Sequence, residues 1–159
     1  MKKLILSFVA VIAITTISTA QIKVYKGTSS YSSDLICNVS ECKIYKKNSS
    51  YSSDVICNIN GNKIYKGTSS YSRDVLFNIE DGKVFKGISS YSSDILMTIK
   101  DGKIYKGTSS YTSDVLATIN DGKIYNSNSS YSCDIEFTID GYVTIQEFVA
   151  IWYAVKYFY

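Results

Sequence analysis

Residues 63–82 read KIYKGTSSYSRDVLFNIEDG, and this 20-residue unit decides the fold because it repeats along most of the chain. Its first nine residues return unchanged at 103–111. The copies occupy 23–42, 43–62, 63–82, 83–102, 103–122 and, in shortened form, 123–141. A fixed period of this kind indicates a repeat architecture in which each copy is one supersecondary unit.

Each copy contains two strand-like segments, 63–66 and 74–79 in the copy quoted, and the second is rich in β-branched and aromatic residues. Asp81-Gly82 joins the second segment to the next copy. Asp-Gly between alternating apolar residues is a strong hairpin signal, because a type I′ turn needs positive φ at both central residues. The other junction is a longer polar loop, so the sequence predicts about twelve short antiparallel strands.

The alternation of the second segment predicts which side faces the core. Positions 35 and 39 and their equivalents are uniformly aliphatic, as a buried face requires. Between them lies a position that is always non-polar but varies in size: Cys37, Cys57, Phe77, Met97, Ala117 and Phe137. We interpret this layer as the one that contacts an element lacking the symmetry of the repeat.

The C-terminal segment is that element. Thr144 and Glu147 form the pattern of a capping box, which predicts that a helix begins after Thr144. From 145 to 159 the sequence is apolar nearly all round, as in a helix that is buried on every side. We expect four of its side chains to contact the variable layer: Phe148, Ile151, Trp152 and Val155.

A closed barrel of twelve strands suits this helix. With ~4.8 Å between strands and ~40° tilt, its backbone radius is about 12 Å, which accommodates one helix of ~10–12 Å diameter. In the alternative, a β-solenoid, equivalent residues stack ~4.8 Å apart, and each step of the resulting like-charge ladders costs about 1 kcal/mol. We therefore predict an all-β fold with one helix: six hairpins, spanning 21–143, closed into a short, wide barrel that 144–159 plugs.

The first twenty residues resemble a signal peptide. Lys2 and Lys3 precede an apolar run from Leu4 to Ile14, and small residues lead to a cleavage site between Ala20 and Gln21. The run is shorter than the ~20 residues that span a bilayer, so a cleaved signal is favoured over an anchor. We expect a secreted or periplasmic protein that starts at Gln21.

Without Lys2 and Lys3, 15 Lys and Arg residues stand against 14 Asp and Glu residues, which gives no basic excess for nucleic acid. The chain has no His, the commonest general base and transition-metal ligand. Its four cysteines allow three disulfide pairings. Because Cys37 and Cys57 occupy the same repeat position, a barrel places them two strands apart, beyond the ~7 Å limit for a bridge. We interpret both as small buried apolar residues.

Two sets of repeated side chains are candidate binding residues. Lysines recur near one end of the predicted barrel, where they either seat an anion or form a solvated rim: Lys26, Lys46, Lys66, Lys86 and Lys106. Strict register puts these lysines on the apolar face, so they extend to the mouth or a bulge moves them. Tyrosines recur in the polar loops, where they either stack on sugars or cover the outer wall: Tyr31, Tyr51, Tyr71, Tyr91, Tyr111 and Tyr131.

No catalytic or metal site is predicted. An active site needs unlike residues held together, whereas almost every polar residue here occurs about six times. Residues 140–148 match only the second half of a calcium-binding loop, since Glu136 and Thr138 would fall in a strand. We predict an exported non-catalytic structural or binding module without a cofactor, whose partner is left open between a lipid headgroup, a glycan and another envelope protein. The alternatives are an envelope protein that binds lipid headgroups or glycans through the Lys or Tyr residues, and a functional amyloid subunit.

The unit KIYKGTSSYSSDVL, closed by Asp-Gly, resembles the repeat of the bacterial β-flower proteins, and the segment 141–149 resembles their C-terminal helix. The resemblance covers 23–155 and is closest to the four-fold β-flower-like proteins. It implies a wide, short barrel of hairpin petals, similar in outline to the Tubby C-terminal domain around its central helix. It implies no ligand, because no motif of this chain carries one over.

Overall fold

The computed structural model describes residues 21–159, so the predicted signal peptide lies outside the described residues. Twelve strands and one helix follow one another along this part of the chain. Their bounds are β1 Ile22–Lys26, β2 Leu35–Ser40, β3 Lys43–Lys46, β4 Val55–Asn60, β5 Lys63–Lys66, β6 Val75–Glu80, β7 Lys83–Lys86, β8 Ile95–Lys100, β9 Lys103–Lys106, β10 Val115–Asn120, β11 Lys123–Asn126, β12 Ile135–Asp140 and α1 Ile145–Phe158. We call each 20-residue copy a petal, numbered one to six.

The strands form one closed antiparallel barrel in which every strand pairs with its sequence neighbours. The ring closes where β1 pairs with β12, with Val24 opposite Ile139. The predicted fold class, six hairpin repeats closed into a barrel with one C-terminal helix, is therefore confirmed. A solenoid is excluded, because its strands would stack in parallel.

Two-residue turns gather at one end of the barrel, which we call the turn end. Asp101 (φ 52°) and Gly102 (φ 71°) connect Lys100 to Lys103, with positive φ at both positions as a type I′ turn requires. The opposite end carries the long loops at 27–34 and the equivalent positions of the other petals, and we call it the loop end.

A β-bulge in every petal corrects the predicted inner face. Val24 pairs with Cys37, but its neighbour Tyr25 pairs with Leu35, so Ile36 is an extra residue in β2. The bulge reverses the alternation, and Leu35 joins Tyr25 on the outer side while Cys37 and Val39 stay inside. The same register shift occurs in all six petals. The prediction that position 35 faces the core together with position 39 was wrong, because strict alternation does not allow for the extra residue.

The helix runs through the barrel from the turn end to the loop end. Thr144 caps it as predicted: its Oγ1 accepts from the Glu147 N–H, and the Glu147 carboxylate accepts from the Thr144 N–H. Phe148, Ile151 and Trp152 are buried and Val155 is partly buried. All six residues of the variable layer belong to the same hydrophobic core.

Helix α1 lies nearest to β2–β5, on one side of the barrel. On that side the contacts are short: Cys57 Sγ lies 3.9 Å from the Ala150 carbonyl oxygen, and Ala150 and Ala154 are fully buried. Elsewhere aromatic side chains fill a wider gap, with ring centroids 6.3 Å apart for Phe137 and Trp152. Phe77 packs edge-on against Tyr153 at 5.5 Å. Small Cys57 therefore lies where the helix is close, and large Phe137 where it is farther away.

Candidate binding surface at the loop end

Each loop holds its tyrosine backbone by local hydrogen bonds. In petal three, Ser69 Oγ donates to Asp74 Oδ2 (2.6 Å) and accepts from the Tyr71 N–H (3.2 Å). The Tyr71 carbonyl accepts from the Asp74 N–H (2.9 Å) and so begins a 3₁₀ turn at Ser72–Asp74. The Ser–Asp bond measures 2.6 Å in all six petals. Both backbone polar groups of the tyrosine are therefore satisfied within the loop.

The preceding petal also holds each loop against the outer wall. Asn58 Nδ2 donates to the Gly67 carbonyl (2.7 Å) and to the Ser69 carbonyl (2.9 Å). Other petals use threonine for the same purpose, as when Thr98 Oγ1 donates to the Gly107 carbonyl at 2.7 Å. These Asn and Thr residues are not among the predicted site residues. The available signal was a recurrent Asn or Thr in an otherwise apolar strand: Asn38, Asn58, Asn78, Thr98, Thr118 and Thr138.

The loop tyrosines are the most uniform exposed feature of the protein. Their side chains are 66–75% exposed, so they do not cover the outer wall, which was one of the two predicted roles. Buried aromatic residues on the strands, such as Tyr25 and Phe85, lie on that wall instead. Tyr71 is the least exposed of the six because the Arg73 guanidinium lies 5.2 Å from its ring centroid.

The repeated lysines lie on the inner side of the barrel, at its mouth. Lys46 pairs with Cys37 and Lys66 pairs with Cys57, so their side chains leave the strand on the core side, where the barrel ends. All five lysines are exposed. Within residues 21–159, neither of the two ion pairs involves them. The mouth position is one of the two arrangements that the sequence allowed.

The last turn of α1 emerges inside this ring of lysines. Lys156 forms an ion pair with Glu136, which occupies the bulge position where other petals have Ile or Leu. Lys156 Nζ also lies 4.7 Å from the Trp152 ring centroid. Tyr157 and Phe158 remain exposed, as do the bulge leucines Leu96 and Leu116. The mouth is therefore an apolar patch with a rim of lysines.

Comparison with known families accounts for this six-petal ring. A family model described as "6-fold beta flower protein" matches residues 17–152. The chain belongs to the 6-fold beta flower family. No curated protein and no solved structure matches it. The predicted β-flower resemblance thus holds in its six-fold form, and the four-fold assignment is corrected because the ring has six petals. The match gives no support to the Tubby outline.

The thiols of Cys37 and Cys57 in this beta flower protein are unreactive because both side chains are buried. Burial raises the pKa of the Cys37 thiol to about 12, because a thiolate has no solvation there. Burial, with a smaller contribution from Cys37, also raises the pKa of Cys57. All four cysteines are in the thiol form, and only Cys42 and Cys133 are exposed.

Tyr153 in the helix and Tyr159 just after it have pKa values above the usual range of a tyrosine. Burial, followed by the proximity of Cys57 and Tyr157, raises the pKa of Tyr153. Burial and Cys37 raise the pKa of Tyr159, and a backbone hydrogen bond from Lys47 opposes the shift. Both phenols therefore stay neutral at physiological pH and are hydrogen-bonding groups rather than bases.

The described part of the beta flower chain contains no group of three or more His, Cys, Asp or Glu side chains placed to hold a metal. Between residues 21 and 159, no helix has both the length and the apolar character needed to cross a membrane. The loop end presents aromatic rings, hydroxyls, lysine ammonium groups and half-buried carboxylates, repeated around one end of the barrel.

Proposed function

We propose that this protein is an exported, non-catalytic binding module whose binding surface is the loop end. One observation carries the proposal. Thirteen large apolar side chains in the described chain are exposed, and eleven of them lie at the loop end; the exceptions are Tyr142 and Ile88, which lies on the outer wall beside the turn at 60–62. Monomeric proteins rarely expose so many apolar groups together unless they bind something there.

The interior supports a binding role rather than catalysis. Helix α1 and the inward side chains fill the barrel, and Val24, Ile44, Ile64 and Ile151 are fully buried. A small substrate therefore has no central cavity to enter. The Ser, Tyr and Asp residues of the loops recur in every petal, so they do not provide the unlike partners that a nucleophile and its base require.

Closure of the sheet argues against the amyloid alternative. Every strand from β1 to β12 has two partners, so the ring presents no strand edge to a second chain. Amyloid growth would first require β1 and β12 to separate. The lipid and glycan alternatives both use the loop end and both remain compatible with it.

The test is a binding survey of the chain from Gln21 on arrays of glycans and lipids at physiological salt. We expect retention by at least one ligand class. A variant in which Leu96, Leu116 and Phe158 become Ser and Tyr91 and Tyr111 become Ala should lose it. The matched control is Tyr142→Ala at the turn end, which should bind as the parent does.

Retention that survives the loop-end substitutions would contradict the proposed surface, and no retention on any array would contradict the binding role. Export is tested separately by expressing the full chain in a bacterial host and sequencing the N-terminus of the product. A start at Gln21 is expected, and recovery of intact Met1 would exclude cleavage.

A further inference from the structure

We infer that each loop is a subsite for one sugar ring of a neutral glycan polymer, so that the ring of six petals binds the polymer multivalently. This inference rests on the proposed function and specifies its ligand. It is carried by three features of the loop end: the composition of each subsite, the charge of the ring and the rigid repetition of the sites.

In petals three and five the subsite is a shallow depression lined by the groups that a sugar needs. In petal three, Lys66, Ser70, Tyr71 and Asp74 line it, and in petal five the lining repeats with Lys106, Ser110, Tyr111 and Asp114. The tyrosine ring offers an apolar face to the C–H groups of a pyranose. The surrounding hydroxyl, ammonium and carboxylate groups can donate to or accept from its hydroxyls.

The subsite is organised before any ligand binds. Asp74 Oδ2 already accepts from Ser69, which fixes the carboxylate beside the tyrosine, and Asn58 fastens the loop from the neighbouring petal. Tyrosine offers a large contact area and loses conformational freedom about only two side-chain torsions when it binds. Because the backbone and the carboxylate are fixed, binding one sugar orders little besides the tyrosine side chain.

The charge of the ring favours a neutral polymer over an anionic membrane. Residues 26–34 and the equivalent segments of the other petals contain seven Lys or Arg residues and six Asp residues. Attraction to anionic lipid increases with each basic residue near the membrane surface, but it needs an uncompensated basic cluster. Here the Asp residues nearly cancel the lysines, whereas the dense hydroxyl groups of Thr28, Ser29 and Ser30 suit a polyhydroxylated ligand.

Repetition converts weak subsites into useful affinity. The closed barrel holds the six loops at fixed positions, so after one sugar binds, the next along the same chain meets a second loop at high effective concentration. Linked sites of this kind gain about 10²–10⁴-fold over a single site without any new contact. A glycan chain with many identical units is the ligand that can use this gain.

The test measures binding of the chain from Gln21 to two neutral polymers, hydroxyethylcellulose and hydroxyethyl-chitin, by affinity electrophoresis. We expect retardation by at least one polymer, and binding of its disaccharide that is weaker by roughly 10²-fold or more. The triple variant Tyr71→Ala, Tyr91→Ala, Tyr111→Ala should lower the affinity for the polymer by about 10²-fold. The matched triple Tyr→Phe variant keeps the aromatic faces and should bind within a few-fold of the parent.

Folding does not confound these variants, because the substituted side chains are mostly exposed, and thermal unfolding of each variant checks this. Retardation by neither polymer, or equal retardation of the triple Ala variant, would overturn the glycan inference. Vesicles of phosphatidylcholine with and without phosphatidylglycerol test the alternative that the loop end binds a lipid membrane. Binding to the anionic vesicles alone would overturn the inference while leaving the loop-end binding role intact, and binding to nothing on the arrays would overturn both.

Discussion

At the scale of single residues, the petals differ in which residue types occupy the turn and loop positions that have a left-handed backbone conformation. The second turn position has φ between 58° and 75° at Cys42 and at Gly82, Gly102 and Gly122, but only the glycines adopt it without steric cost. Lys47 (φ 49°) and Ser127 (φ 54°) likewise occupy a loop position where four other petals have glycine. Petals one, two and six therefore carry local backbone strain at positions where other petals have glycine.

Replacing Cys42 with Gly should stabilise the protein by about 1 kcal/mol. The left-handed conformation costs an L-residue ~1–2 kcal/mol, and the extra freedom of glycine in the unfolded chain offsets ~0.5–1 kcal/mol of the gain. The Cys42 carbonyl keeps its bond from the Ile59 N–H, since only the side chain changes. Urea unfolding followed by Trp152 fluorescence measures the difference.

Gly82→Ala is the opposite control. The Cβ of an alanine there would lie 2.7 Å from the Ile99 carbonyl oxygen, and the alanine would have to adopt a positive φ. The urea concentration at the midpoint of unfolding should therefore fall. If Cys42→Gly lowers the midpoint, or if Gly82→Ala leaves it unchanged, the account of turn strain is wrong.

At the scale of elements, helix α1 fills the centre of the barrel, which the inward side chains of the strands do not fill by themselves. Its 14 residues span roughly 21 Å, and its buried face includes Phe148, Val149, Ile151 and Trp152. The ion pair of Lys156 with Glu136 and the packing of Tyr153 on Phe77 join the helix to two different petals. These asymmetric contacts select one orientation of the helix in a nearly six-fold barrel.

Removing the helix should destroy the fold. Trp152→Ala is expected to cost about 3–5 kcal/mol, which is a large share of a total stability of ~5–15 kcal/mol. Deletion of 144–159 removes the whole helix, so the chain should unfold or aggregate. In the intact protein Trp152 is 9% exposed, and its fluorescence should be blue-shifted and protected from quenchers.

Tyr142→Ala is a suitable control for the helix experiment, because that side chain is fully exposed just before the capping box. It should unfold at the same temperature as the parent. A truncated chain that still melts cooperatively at that temperature would show that the helix is not needed for the core.

At the scale of the whole molecule, closure depends on β1. It pairs with both β2 and β12, and its Val24 is fully buried. Among the described strands, the β1–β12 pair is the one pairing between strands that are not neighbours in sequence, so it joins the two ends of the repeat array. Six hairpins without this pairing would be an open sheet with two edges.

A chain that begins at Gly27 should therefore leave the monomeric state. The exposed edges of β2 and β12 are expected to pair with other molecules and give dimers or aggregates. Size-exclusion chromatography and thioflavin T fluorescence measure the outcome. A synthetic peptide of residues 21–26 should restore the monomer, whereas a scrambled peptide that breaks the alternation should not.

A truncated chain that stays monomeric with an unchanged melting temperature would show that closure does not depend on β1. Failure of the native peptide to restore the monomer, with aggregation still present, would show that another part of the chain causes the aggregation.

Much of this architecture follows from the sequence alone, because its determinants are local. The Asp-Gly turns fix the hairpins, the 20-residue period fixes their number, and Thr144 with Glu147 fixes the start of the helix. The all-round apolar character of 145–158 indicates burial without any knowledge of the barrel. Each of these signals depends on residues only a few positions apart, so the pattern can be interpreted without coordinates.

The tertiary structure decided what depends on distant residues. The bulge at Ile36 and its equivalents places Leu35 on the outer wall, because one extra residue reverses the alternation between the part of the strand before it and the part after it. The Asn58 bonds to the next loop join residues of separate petals. Tyr71 is exposed because these hydrogen bonds hold its loop in place. Helix α1 lies near β2–β5 because small Cys57 lets it approach there, whereas large Phe137 keeps it farther from β12. No local pattern encodes these outcomes, because each is a balance of contacts between parts of the chain that only the closed barrel brings together.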